Sequence, residues 1–174
     1  MMNRQLMWIY GLLPQEETNI ICDICRKQNE DLKLSEHFLD FPLHISLKRS
    51  FYTADFENVR DDILKITDRT IECGEIYPYK QKDMIWLRIT KEDEIRAVHE
   101  ELDEYLKNRY QIAIDGFDRT YLPHVSLFHN CDELQKEKMY ERLTELLPPL
   151  KVKIDRYIIG SKVNSNVIYD RREK

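Results

Sequence analysis

Two histidines stand in nearly the same short sequence context at two places in the chain. Residues 41–47 read F-P-L-H-I-S-L and residues 121–127 read Y-L-P-H-V-S-L, so His44 and His124 each precede a serine by two positions. They are 80 positions apart (124 − 44). An imidazole has an ordinary pKa of about 6.5, so one ring can accept a proton while another donates one. If the fold brings both rings to one cleft, they suffice for general acid–base chemistry without a metal.

The residues that follow the first histidine suit binding of a phosphate group. Side chains alternate between the two faces of a strand, so His44, Ser46 and Lys48 are predicted to share one face. A serine hydroxyl can donate to a phosphate oxygen, and an ammonium adds positive charge. We therefore expect Ser46 and Lys48 to bind phosphate. Ser46 is a less suitable nucleophile, because no acid stands where it would complete a catalytic triad.

The second strand carries the same pair followed by an aromatic residue. Alternation places His124, Ser126 and Phe128 on one face, with Val125 and Leu127 on the other. Ser126 is predicted to bind phosphate like its counterpart. Phe128 can stack on a nucleobase, a contact worth about 1–3 kcal/mol.

Four further residues are candidates for contact with the substrate. Trp86 and Arg88 alternate with aliphatic residues on a predicted strand and can line the cleft, although core packing of Trp86 fits the pattern equally well. Arg119 and Tyr121 precede the second motif and can gate the site, or they belong to an ordinary surface loop. The other three histidines are predicted to be non-catalytic: His37 in a loop, His99 on a polar helix face, and His129 on the strand face opposite His124.

The bulk composition favours a single soluble domain. The 174 residues are 42% hydrophobic and 34% charged, with a net charge of −5, which argues against an extended nucleic-acid surface. The apolar run Leu6–Leu13 is too short to span a membrane, so we expect a cytoplasmic protein that has no membrane contact. We also expect a monomer. Cys22 and Cys25 form a C-x-x-C within a helical pattern, and no second pair of ligands supports a metal site. Buried reduced thiols are the favoured interpretation, and no cofactor is expected.

The elements that must position the histidines follow one order twice. Hydrophobic periodicity predicts βαβαβ, then βαβαβ, then one further strand, with corresponding elements offset by roughly 80 positions. Thr90 and Asp93 form a possible capping box before the third long helix. We interpret the order as a duplication within one domain, 1–174, with halves of about 1–83 and 84–174. The predicted strands lie near 6–13, 43–50, 70–77, 84–90, 124–128, 152–159 and 163–169, and the helices lie within 16–34, 56–66, 95–106 and 134–146.

With these motifs in this order, the chain resembles the two-histidine (2H) phosphoesterases, which include 2′-5′ RNA ligase-like and 2′,3′-cyclic phosphodiesterase-like proteins. The resemblance implies an α+β fold, bilobal, with two antiparallel sheets around a central cleft. It also implies that His44 and His124 are the catalytic pair and that Ser46 and Ser126 bind phosphate. The second motif departs from the family at Phe128-His129, where many ligase-like members have a small residue and then arginine.

The implied activity is a metal-independent phosphodiesterase that acts on small nucleotides or RNA ends. Its substrate would contain a 2′,3′-cyclic phosphate or a 2′-5′ linkage, or would itself be a cyclic oligonucleotide. The alternatives are a non-catalytic nucleotide- or RNA-binding module on the same fold, and a plain interaction protein whose histidines lie in the core. Two imidazoles on opposite sides of the structure would favour the last alternative.

Overall fold

The computed structural model describes residues 4–39, 42–163 and 165–170. Within them strands and helices follow one another along the chain much as the hydrophobic pattern predicts. The elements are β1 (Gln5–Leu12), α1 (Gln15–Gln28), β2 (Ser35–Glu36), a 3-10 helix (His37–Leu39), β3 (His44–Thr53), α2 (Phe56–Ile66), β4 (Ile71–Gln81), β5 (Met84–Ile89), α3 (Asp93–Tyr110), α4 (Gly116–Arg119), β6 (Val125–His129), α5 (Glu133–Leu146), β7 (Lys151–Ile154), β8 (Arg156–Val163) and β9 (Ser165–Asp170).

The described strands form one nine-stranded antiparallel sheet and not two separate sheets. Their order is β7-β4-β5-β6-β3-β1-β8-β9, and β2 adds to β6. The two motif strands are neighbours in it, because β3 pairs with β6 with Ile45 opposite Val125. The predicted α+β class with antiparallel strands is thereby confirmed. The internal duplication and the boundary between halves stay predictions.

Helices cover the aliphatic side of these strands. The apolar residues of α3 recur every three or four positions and are buried, with Ile95, Leu102 and Leu106 fully inaccessible. This spacing places them along one side of the helix, which packs on β3 and β4. On the strand side, Ile45 and Leu47 are also fully buried. The histidine-bearing side of the two motif strands is therefore left to line a cavity.

Three expectations about individual elements are wrong. The strand predicted near 152–159 is two strands that break at Asp155, because β7 pairs with β4 while β8 pairs with β1. The capping box does not form, since α3 begins at Asp93 itself and the Thr90 hydroxyl accepts a hydrogen bond from Glu75 N instead. The sequence pattern also missed three short elements: β2, the 3-10 helix and α4.

The cysteines are buried and form no disulfide, consistent with the sequence-based prediction. Cys22, Cys25, Cys73 and Cys131 are all free thiols. Burial raises the pKa of the Cys131 thiol to about 11, which leaves it protonated at neutral pH and poorly reactive. Among the described residues, no helix combines the length and the apolar character that crossing a membrane requires.

Candidate active site

The two motif histidines are held in the same way by the backbone just before them. His44 begins β3 and His124 directly precedes β6. Nδ1 of His44 lies 2.7 Å from the carbonyl oxygen of Pro42, and Nδ1 of His124 lies 2.7 Å from that of Leu122. A carbonyl oxygen can only accept, so each Nδ1 carries the proton and donates it. In the neutral ring this assigns the lone pair to Nε2, the nitrogen a general base needs.

An aromatic ring from the neighbouring strand stacks on each histidine. Tyr10 of β1 lies 3.9 Å from the His44 ring, with 20° between the ring planes. Trp86 of β5 lies 3.6 Å from the His124 ring, with 15° between the planes. The backbone hydrogen bond and the stacked ring together restrict each imidazole to one orientation. Such prior orientation lowers the cost of reaching a reactive geometry.

The strand register brings the serines to the same place as the histidines. Because β3 and β6 are antiparallel with Ile45 opposite Val125, one step in either direction sets His44 across from Ser126 and Ser46 across from His124. Neighbouring side chains on one face of such a pair have Cβ atoms about 5 Å apart. Each hydroxyl therefore lies beside the imidazole of the other motif, where it can donate to a phosphate bound between the rings.

These side chains line one cavity of about 680 Å³. Its described lining contains three histidines and an arginine and no aspartate or glutamate, although the whole chain has a net charge of −5. A cleft lined by one sign of charge attracts the opposite sign. The cavity thus suits an anion. It is lined by Tyr10, His37, His44, Ser46, Arg49, Ser50, Gln81, Met84, Trp86, Phe117, Thr120, Leu122, His124 and Ser126.

Both motif strands contain a β-bulge directly after the serine. In β3, Ser46 pairs with Tyr10 but Lys48 pairs with Ile9, so Leu47 is an extra residue. In β6, Ser126 and Phe128 oppose consecutive residues of β5, so Leu127 is extra. A bulge shifts the alternation of side chains by one position. The faces predicted for Lys48, Phe128 and His129 are therefore wrong.

Lys48 points away from the cavity and is buried. Its ammonium lies 2.6 Å from Asp103 Oδ1 and 2.5 Å from Asp118 Oδ2. His99 joins this cluster, with Nε2 3.5 Å from Asp103 Oδ2. Ligand atoms of His99, Asp103 and Asp118 lie within 4.8 Å of one another, which could suit a metal ion. Lys48 already supplies the positive charge there, so the cluster is better described as an ion-pair network than as a metal centre.

Phe128 packs in the core and does not reach the cavity. It is 1% exposed, and its ring makes an edge-to-face contact with Phe38 at 5.9 Å. The expected stacking of Phe128 on a base is therefore incompatible with this packing. Trp86, for which core packing and cleft lining fitted the sequence equally well, lines the cavity.

The remaining three candidates lie outside this cavity. Arg88 pairs with Glu92 at the start of α3. Tyr121 is 6% exposed and stacks on the buried His99 ring at 3.8 Å. It lines a separate cavity of about 320 Å³ together with Arg119. This arrangement does not meet the expectation that Arg88 lines the cleft, nor the one that Arg119 and Tyr121 gate it. The alternative of an ordinary surface loop also fails for Tyr121, because its side chain is buried.

Several cavity residues were missed by the sequence reasoning, among them Tyr10, His37 and Arg49. Nothing in the sequence around Tyr10 indicates a functional role, because only the pairing of β1 with β3 places this residue over His44. Arg49 reaches the cavity because the bulge at Leu47 exchanges its face with that of Lys48. His37 was assigned to a loop, and it lies on a 3-10 helix that lines the cavity. All three positions depend on strand pairing that a single sequence does not display.

Burial changes the acid–base behaviour of the two motif histidines. It lowers the pKa of His44 to about 4, against a smaller opposing effect of the Pro42 carbonyl. Burial likewise lowers the pKa of His124, opposed by its hydrogen bond to Leu122. Positive charge on His37 contributes to lowering both pKa values, and positive charge on Arg88 contributes more than His37 does at His124. Both rings are therefore neutral near pH 7 until an anion binds between them and favours protonation.

A sequence model of the 2′-5′ RNA ligase superfamily matches residues 25–164, which include both motifs. No curated protein matches the sequence significantly.

Several solved structures share the fold at low sequence identity. E. coli LigT complexed with 3′-AMP matches with a TM-score of 0.61 and 11% identity, over 97% of this chain and 95% of LigT. The LigT complex with ATP matches with a TM-score of 0.58 and 13% identity, over 96% and 94%. Kluyveromyces marxianus Usb1 with uridine monophosphate matches with a TM-score of 0.53 and 13% identity, over 96% and 97%. At such identities the similarity establishes the fold alone.

Proposed function

The chain belongs to the 2′-5′ RNA ligase superfamily, and from that premise we propose that it is a phosphodiesterase acting on small nucleotides or RNA ends. One observation carries the proposal: His44 and His124 are held by the same hydrogen bond and the same kind of stacking at one cavity. Two imidazoles in equivalent settings can divide the two proton transfers of phosphodiester cleavage between them.

The proposed reaction needs one base and one acid. The Nε2 lone pair of one ring takes the proton of a water molecule or a ribose hydroxyl, whose oxygen then bonds to phosphorus. The bond from phosphorus to the leaving ribose oxygen breaks, and the protonated partner ring donates its Nε2 proton to that oxygen. Either histidine can serve as base, because both present Nε2 alike. The two rings account for both proton transfers without a metal ion.

The polar side chains around the histidines suit the charge that develops on phosphorus. Ser46 and Ser126 can donate to the non-bridging oxygens, and preorganised donors of this kind stabilise a transition state. Arg49 lines the same cavity and supplies the cationic role expected of Lys48. A guanidinium is well suited to this role because it stays protonated at any relevant pH.

The size and charge of the cavity support a small anionic substrate. A volume of about 680 Å³ lies within the usual range of small-ligand sites, about 300–1,000 Å³. The net charge of −5 disfavours tracking along extended nucleic acid. Nucleotide complexes of LigT and Usb1, which share the fold, are consistent with this substrate class.

The proposal is tested by turnover in the presence of EDTA. Purified protein is incubated with 2′,3′-cyclic nucleotides, 2′-5′ oligoadenylate and cyclic dinucleotides, and the position of the product phosphate is determined. We expect cleavage that persists in the chelator. The variants His44→Ala and His124→Ala should each lower turnover by about 10²–10⁴-fold.

Tyr52→Ala provides a control on the same strand as His44, because Tyr52 is 62% exposed and lies outside the cavity. Circular dichroism and thermal unfolding verify that each variant is folded. Full turnover in both histidine variants would contradict the proposal. Tight binding without cleavage of any substrate would instead favour a nucleotide-binding module.

A further inference from the structure

His37 lies at the cavity on a segment that is attached to the second motif strand. β2 pairs with the end of β6, with Ser35 opposite His129 and Glu36 opposite Phe128. The 3-10 helix that begins at His37 follows β2 directly. Strand pairing thus carries this imidazole from a distant part of the sequence to the wall of the cavity.

The His37 ring has two imidazole neighbours, and one of them, His44, also lines the cavity. The His37 ring lies 6.2 Å from the His44 ring and 5.8 Å from the His129 ring. Nδ1 of His129 is buried and has no hydrogen-bond partner among the described residues. We call His37 and His44, which both line the cavity, the imidazole end of the cavity.

The opposite end has different chemistry at the corresponding positions. Eighty residues after His37 stands Phe117, which lines the cavity from α4. Eighty residues after Arg49 stands His129. Since β3 and β6 run antiparallel, Arg49 extends towards His124, and its guanidinium lies 5.3 Å from the Phe117 ring centroid. An aromatic ring cannot donate a hydrogen bond to phosphate, whereas an imidazole N–H can.

We propose that the imidazole end binds a second negative group of the substrate, a phosphate beyond the one that lies between His44 and His124. The inference rests on the proposed function and narrows its substrate class to nucleotides or oligonucleotides that carry at least two phosphates. Imidazole N–H groups donate to phosphate oxygens, and more strongly when the ring is protonated. The nucleoside then lies towards Phe117 and Leu122, whose side chains offer apolar contact. His37 is the specificity-determining residue of this arrangement.

The test compares two probes that differ by one phosphate: adenosine 2′,3′-cyclic phosphate with and without a 5′-phosphate. For the wild-type protein we expect kcat/KM to favour the 5′-phosphorylated probe by about 10-fold or more, the factor typical of one charge-assisted hydrogen bond. In His37→Phe, which places a phenyl ring at both ends of the cavity, this ratio should fall close to one. His37→Asn, which keeps a donor, should retain part of the preference.

Arg49→Met is the matched control, because it removes positive charge from the other end of the cavity. It should weaken kcat/KM for both probes and leave their ratio unchanged. Equal kcat/KM for the two probes in the wild-type protein would overturn the inference, and so would an unchanged ratio in His37→Phe.

If neither probe is cleaved, the proposed function fails but the subsite can still be tested. Titration calorimetry then measures the preference between the two probes as the ratio of their Kd values. A preference for the 5′-phosphorylated probe that disappears in His37→Phe supports the subsite. Equal Kd values overturn it.

Discussion

Replacing Lys48 by methionine is expected to destabilise the protein strongly, although the residue lies outside the cavity. The side chain is 4% exposed and is the shared partner of two carboxylates, on α3 and α4. Methionine has a similar length but no charge, so Lys48→Met would leave Asp103 and Asp118 facing each other in a buried environment. Their repulsion and desolvation are then no longer offset by a cation.

The size of the effect follows from the burial of all three groups. Removal of one partner from a buried ion pair costs about 3–5 kcal/mol, a large part of the roughly 5–15 kcal/mol that stabilises a domain. Burial already raises the pKa of Asp103, against the opposing hydrogen bond from Lys48. A raised pKa means that the native state binds the proton more readily than the unfolded chain. The loss should therefore be greatest near neutral pH and diminish as the pH falls through that raised pKa.

Urea unfolding of the wild-type protein and Lys48→Met at pH 7 and pH 5 measures the loss of stability and its change with pH. The double variant Lys48→Met/Asp118→Asn removes one of the two stranded charges and should recover part of the stability. Lys65→Met serves as a control, since that lysine also pairs with an aspartate but is 76% exposed, and its replacement should change the unfolding midpoint little. A loss in Lys48→Met below about 1 kcal/mol, or one that grows towards acidic pH, would refute the reasoning.

Two further predictions concern the proposed catalytic pair and the core. Because burial lowers the pKa of His44 to about 4 and also lowers that of His124, kcat/KM should increase as the pH falls below 7 and decrease again near pH 4; an optimum above pH 8 would contradict the assignment. Gly160 of β8 lies against Trp8, where an added Cβ would sit 1.8 Å from Cε2 of the indole. Gly160→Ala should cost about 1–3 kcal/mol, measured by thermal unfolding, and the additional change Trp8→Leu should relieve part of it.

The spacing of apolar residues predicted the main helices and strands because each spacing is set by residues close together in the sequence. The spacing of Ile95, Val98 and Leu102 indicates a helix with one buried side, and that helix is α3. Alternation within the motifs correctly separated His44 and Ser46 from the aliphatic Ile45. Short elements were not predicted, because two to four residues carry no measurable periodicity.

The sequence alone determined the two histidine motifs, their offset of 80 positions and the superfamily to which they point. Tertiary structure decided that Arg49 and not Lys48 lines the cavity, and that His37 lines it as well. Alternation is a local rule, and it holds only until pairing with a neighbouring strand inserts an extra residue. At Leu47 that insertion is supported from another element, because His99 of α3 donates from Nδ1 to the Leu47 carbonyl at 2.7 Å. Arg49 faces the cavity and Lys48 faces the core because of the pairing between β3 and β1, which the local pattern of either strand does not contain.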